Sequence, residues 1–252
     1  MSKDTLENEK NSKLPFVLEK WLSFVDHMSA DFLGGPRVLK LSHVINLQKG
    51  STLLVCLLMM KQANNYSATA TTYTALHGGY GICWLLKELI FPDPKWQRSI
   101  TIGSVLSVFA TVLGPYWYIA YNAIMKHADH SNTSLLIAII IYEIGLCLMM
   151  GSDCQKYFVL KKEKCLITDG FFSRIRHPNY LGEMMIYSTF AFVSKDIRSA
   201  GVLAWVWITI FAPYILRKEN SMSRYKGWLA YTKRSGLLWP RFFFPSGGNP
   251  HP

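Results

Sequence analysis

Residues 100 to 125, ITIGSVLSVFATVLGPYWYIAYNAIM, carry no charged side chain. A helix needs roughly 20 apolar residues to cross a bilayer, and within hydrocarbon it must bond all of its own backbone polar groups. The block therefore predicts a spanning helix. Hydrophobic residues make up 50% of the 252-residue chain. They come in long blocks rather than at the period of a water-facing helix or strand, which is the pattern of a membrane protein.

Five further blocks read as helices: 134 to 151, 200 to 216, 69 to 91, 179 to 194 and 42 to 61. The expected fold class is all-α, a polytopic integral membrane bundle of about six transmembrane helices. Only Lys195 to Ser199 separate two of these blocks, which predicts a tight helical hairpin that returns the chain to the side it left. Three regions follow: a cytosolic N-terminal segment (1–41), four transmembrane helices (42–151), and a C-terminal region (152–252) with the hairpin and an interfacial tail.

The formal charge of +11 would suit a nucleic-acid binder, but its distribution argues otherwise. With the N-terminus inside, 22 of the 27 Lys and Arg fall on the inner side. The opposite loops hold Lys61, Lys126, Lys195 and Arg198, and Lys49 lies within the first helix. This is the positive-inside asymmetry, and it places both termini in the cytosol with no call for nucleic acid. The sequons at Asn65 and Asn132 fall in the expected outer loops. The five cysteines lack ligand spacing, so neither a disulfide nor a metal is expected. The polar start MSKDTLENEKNSK lacks the features of a signal peptide, which makes the first helix an uncleaved anchor, and SGGNPHP reads as a loose tail.

The chemistry concentrates in GFFSRIRHPNYLGE, residues 170 to 183. Proline suits the first position of a helix, so a helix is expected to start at about Pro178. Its free N–H groups and partial positive charge, with Arg174, Arg176 and His177 beside them, form a site for phosphate or carboxylate. Asn179 and Tyr180 offer hydrogen bonds, and Gly182 would let a flat ligand approach the backbone. Glu183 sits a turn inside the helix, where a carboxylate is costly without a partner, and is expected to fix a sugar or base. Taken singly, the arginines also read as snorkelling anchors. After the hairpin, Arg217, Lys218 and Glu219 should emerge near His177 and Arg176. Tyr225, Trp228 and Tyr231 recur every three residues, the face of an interfacial helix that could serve as a lid with an aromatic stacked on a bound base.

From Cys154 to Arg241 the chain resembles the superfamily that joins steroid and sterol reductases with isoprenylcysteine carboxyl methyltransferases and phospholipid methyltransferases, through LITDGFFSRIRHPNYLGE at 166 to 183. It is most similar to membrane proteins with a steroid 5-alpha-reductase-like C-terminal domain. The resemblance implies a cofactor at the inner membrane face, an endoplasmic reticulum address and a part in lipid or steroid metabolism. His177, Tyr180, Gly182 and Glu183 match cofactor contacts of either branch. Gln155-Lys156 ahead of the Thr-Asp-Gly turn is similar to the reductase branch, which uses NADPH. Glu219 is half of the acid pair of the methyltransferases, which use S-adenosylmethionine.

The expectation is an NADPH-dependent reductase of a carbon-carbon double bond in a hydrophobic lipid. Lys156, Arg176, His177 and Arg217 would hold phosphates, with Asn179, Tyr180 and Glu183 on ribose or amide groups. The candidate proton donors are Tyr80, His77, Tyr116 or its neighbour Tyr118, and Glu143. The alternatives are an S-adenosylmethionine-dependent methyltransferase and a membrane protein without catalysis. The oligomeric state stays open.

Overall fold

A computed structural model describes residues 14–241; the polar start and the SGGNPHP ending lie outside the described residues. Helix α1 spans Phe16–Ala30 and strand β1 spans Arg37–Lys40. The long helices follow: α2 (Leu41–Ala63), α3 (Ala68–Ile90), α4 (Ile102–Ile124), α5 (Asn132–Lys162), α6 (Pro178–Ser194) and α7 (Ile197–Met222), then the short α8 (Trp228–Arg234). Strand β2 (Ser99–Thr101) pairs antiparallel with β1 just before α4. Helices α2, α4, α5 and α7 are long and apolar enough to cross a membrane, and the chain is an all-α membrane bundle.

Helix starts are set by side chains that satisfy free N–H groups. Ser67 accepts from the N–H of Ala70, Thr101 from Ser104, Ser131 from Ser134 and Asp196 from Arg198, and Pro178 opens α6. The α6–α7 hairpin turns on Lys195, whose φ of 54° is left-handed, followed by the Asp196 cap. Links of four and two residues fold α2–α3 and α6–α7 into hairpins, whereas 15 residues (163–177) lead from α5 to α6. Lys87, Lys156, Arg176 and Lys218 gather at one end, the basic end of the bundle.

Several expectations change. First, α5 and α7 continue 11 and 6 residues past the apolar blocks, to Lys162 and Met222. Hydropathy marks where lipid stops, whereas helix persists while good helix formers follow. Gln155, Lys156, Lys218 and Glu219 are therefore fixed on rigid helices rather than on loops. Second, the N-terminal segment contributes α1, which buries Leu22 and Val25 against the bundle. Third, Gly227 at φ 88° starts α8 only at Trp228, which leaves Tyr225 off that helix. Tyr231 turns inward, its hydroxyl donating to the Phe172 carbonyl at 2.7 Å, so it clamps the 170–172 turn rather than facing a ligand.

Helices α5 and α6 pack most closely where Gly145 meets Gly182. A Cβ on Gly182 would overlap the Gly145 carbonyl and the Met149 backbone nitrogen. Gly182 is thus a helix-packing contact of the kind small residues make in membranes, and not an approach for a flat ligand. Gly182→Ala is expected to lower stability by about 1–3 kcal/mol, the usual cost of overpacking. Thermal unfolding of the detergent-solubilised protein measures this, and an unchanged midpoint would refute the close approach. The buried Asn65 spends its side-chain amide on the Ile124 carbonyl at 2.8 Å, so that sequon is a structural contact.

Candidate functional site

Two cavities meet inside the bundle. The first, about 580 Å³, is a largely apolar chamber walled by α2, α4, α5, α6 and α7, with Val25, Asp26 and Ser29 of α1 on one flank. The second, about 540 Å³, lies at the basic end between α5, α6 and the end of α7. They share Asp93, Pro94, Lys95, Asp153, Asn179 and Lys218, so each opens toward the other.

The chamber wall carries a polar group deep within the bundle, formed by Lys49, Glu183 and Tyr116. The Lys49 ammonium donates to the hydroxyls of Tyr187 at 2.7 Å and Tyr80 at 3.2 Å, and lies 4.0 Å from Glu183 Oε1. The Tyr80 hydroxyl donates in turn to Glu183 at 3.4 Å, and the rings of Tyr80 and Trp84 each stand 4.3 Å from the ammonium. Tyr116 stacks on Tyr187 at 4.0 Å. A buried cation is tolerable when hydrogen bonds, a carboxylate and aromatic faces surround it, and all three are present. Tyr80 and Tyr187 stand behind Lys49 and hold it.

The second cavity is lined by Lys87, Lys95, Lys156, Lys161, Arg176 and Lys218 against Asp93 and Asp153. Asp153 spaces two of these cations, bonding Lys156 at 2.7 Å and Lys87 at 3.2 Å. The Lys218 ammonium lies 4.5 Å from the Tyr180 ring centre. Burial pulls Lys95 below the usual lysine range, and the charges of Arg217 and Lys156 add to this against the pull of Asp93. So many cations around one space favour a multiply charged anion.

At its edge, backbone bonds from Arg176 and His177 to the carbonyls of Gly236 and Leu237 hold the pair before α6. Arg176 reaches Glu219 at 2.9 Å and the Ser235 carbonyl at 2.7 Å, and His177 Nε2 lies 2.8 Å from the same carboxylate. Burial lowers the His177 pKa although Glu219 opposes it, so the neutral ring donates to Glu219. Because that pKa falls below the unfolded value of about 6.5, the contribution to stability is complete above that pH and is lost as the pH drops through the folded pKa. His177→Gln should therefore flatten the fall of thermal stability below pH 6.5; an identical acid limb would refute the assignment.

The expected residues separate accordingly. Lys156, Arg176, His177 and Asn179 line the basic cavity. Tyr116, Tyr180, Glu183 and Arg217 line the chamber, Arg217 bonded to Asp26 at 2.7 Å. Glu219 is engaged with Arg176 and His177, and Trp228 lies beneath the Arg176 guanidinium. His77 stacks on Phe190 at 4.3 Å and bonds Tyr73, lining neither cavity. Tyr118 pairs with Tyr121 near Lys126 at the opposite end, and Glu143 is exposed on the outside of α5. Sequence reasoning missed Lys49, Lys87 and Asp153 as site residues. Lys49 gave the same signal as Glu183, a charge inside an apolar block.

A family described as "Protein of unknown function (DUF1295)" matches residues 93–233, more than half of the chain. The chain belongs to this family. The matched stretch holds most of the basic cavity and Glu183, whereas Lys49, Tyr80 and Lys87 precede it. No curated protein and no solved structure matches the chain.

Proposed function

We propose that the protein is an NADPH-dependent reductase of a carbon-carbon double bond in a membrane-soluble lipid, built on six spanning helices with the basic end toward the cytosol. The observation that carries the reading is a cationic cavity opening into an apolar chamber whose far wall bears Lys49, Glu183 and Tyr116. Lys87, Lys156, Lys218 and Arg176 would bind the phosphates, and Asn179 and Tyr180 would orient the groups that pass from one cavity to the other. When bound, NADPH supplies a hydride. The protein must then exclude water and deliver one proton. Apolar walls do the first. For the second, the Lys49 ammonium faces the chamber and is held by Tyr80 and Tyr187, while Glu183 balances its charge. Tyr80 becomes a positioning residue, and Tyr116 the second hydroxyl available to substrate.

S-adenosylmethionine fits less well. Its sulfonium and amino groups would meet six cationic side chains, and Glu219, the one acid matching the methyltransferase pattern, is occupied by Arg176 and His177. The reductase reading is tested by following NADPH oxidation with purified protein while unsaturated sterols and other unsaturated lipids are added. Lipid-dependent oxidation with a reduced lipid product is expected; turnover of a methyl donor instead would reject it.

A further inference from the structure

We propose that the apolar chamber is loaded sideways from the bilayer by a membrane lipid, through a portal between α4 and α7 that α1 plugs. This rests on reading the chamber as the lipid site. The chamber's other opening leads into the basic cavity, where a charged ligand would stand, so an apolar ligand needs a separate route.

Helices α4 and α7 touch over Gly114–Ile124 and Ile197–Val206, toward the end opposite the basic cavity. Nearer the basic end each contacts α1 instead, through Ile102–Val108 of α4 and Ala212–Met222 of α7. The change comes where both helices widen into a π turn, at Phe109–Leu113 and Trp207–Phe211. Such turns interrupt the regular backbone ladder and are places where helices bend. Here each is stapled by an indole: Trp205 donates to the Thr111 carbonyl at 3.0 Å, and Trp21 of α1 donates to the Thr209 carbonyl at 2.8 Å. The same turns present Val112 and Ile210 to the chamber, so the seam is one side chain thick.

The plug is built to move. Beyond Leu22 and Val25 its other side exposes Phe16 (71%), Val17 (79%) and Phe24 (52%), the apolar face of a helix resting at a membrane surface. It is latched by Asp26, which accepts from Arg217 at 2.7 Å and Tyr214 at 2.8 Å. Burial would raise the Asp26 carboxyl, but these bonds and the charges of Arg217 and Arg98 outweigh it and hold it below the usual range. About a third of each latch side chain is exposed, 35% for Asp26 and 34% for Arg217, so it can open without stranding a charge in hydrocarbon.

The test uses the full chain in phosphatidylcholine nanodiscs with a diazirine-bearing sterol and no NADPH. The initial rate of photolabelling of chamber residues on α4 and α7 is read by peptide mass spectrometry. Asp26→Asn should raise that rate roughly tenfold, the shift in open population expected from losing a charge-assisted latch, with the final extent unchanged. Trp21→Phe, which removes one staple only, should raise it in the same direction and carries the test if Asp26→Asn fails to fold. Tethering α1 to α7 with a bismaleimide across Asp26→Cys and Arg217→Cys should slow labelling about tenfold. Rates indifferent to all three changes, or absence of chamber labelling in every protein, would overturn the portal. Thermal stabilisation by NADPH on the same samples reports the reductase reading separately: chamber labelling without it would remove that reading and leave the portal standing.

Discussion

Lys49→Met is expected to destabilise the protein by about 3 kcal/mol, the lower end for breaking a buried ion pair, because it leaves the Glu183 carboxylate and the Tyr187 and Tyr80 hydroxyls without the ammonium that joins them. Adding Glu183→Gln should recover most of that loss, since the double variant strands no charge. The four proteins make a double-mutant cycle read by thermal or denaturant unfolding in detergent. Additive losses would mean that the 4.0 Å separation carries no coupling. The cycle also divides fold from chemistry. If Lys49 delivers the proton, the restored double variant still turns over about 10²–10⁴-fold more slowly than the natural protein while NADPH affinity stays within about twofold. Recovery of both stability and turnover would remove Lys49 from the mechanism and leave Tyr116 as the donor.

The second large effect is on the cofactor. Lys156→Ala and Lys218→Ala each remove a cation from the basic cavity, and a hydrogen bond to a charged group contributes about 1.5–3 kcal/mol. Each should weaken NADPH binding roughly 10- to 100-fold, and NADH, which lacks the 2′-phosphate, less at whichever lysine meets that group. Both side chains sit near the ends of their helices, so the fold should tolerate the changes. Lys156→Ala also leaves Asp153 to Lys87 alone, and a circular dichroism melt controls for that rearrangement. Unchanged NADPH affinity in both variants would show that the basic cavity does not hold the phosphates.

What the sequence made legible follows from what lipid enforces. Long apolar blocks marked the spans, Pro178 marked the start of α6, and the short link after Ser194, two residues in the structure, brought Glu219 back to Arg176 and His177. Rotation of each helix about its axis was harder to read, because a side facing lipid is as apolar as one facing protein and the periodicity that orients a soluble helix is missing. That is why Gly182 was expected to face a ligand when it faces Gly145, and why Glu143, as prominent in sequence as Glu183, lies on the outside. The Lys49–Glu183 pair joins residues far apart in sequence, so neither residue alone identified its partner. Helix α1 was hidden for a different reason: it is only 15 residues long and is interrupted by Glu19, Lys20 and Asp26, so its apolar residues do not add up to a span.

If the basic cavity serves NADPH, the cofactor binds the folded protein and stabilises it. The most direct measurement is thermal stabilisation of the purified protein by NADPH, NADH and S-adenosylmethionine in parallel, since a ligand that binds only the folded state raises the unfolding midpoint. A saturable rise is expected with NADPH, a smaller one with NADH, and loss of the difference in the Lys156→Ala, Lys218→Ala double variant. Stabilisation by S-adenosylmethionine alone would contradict it and turn the site over to methyl transfer, and a midpoint unmoved by any of the three would leave a membrane protein that uses none of these cofactors.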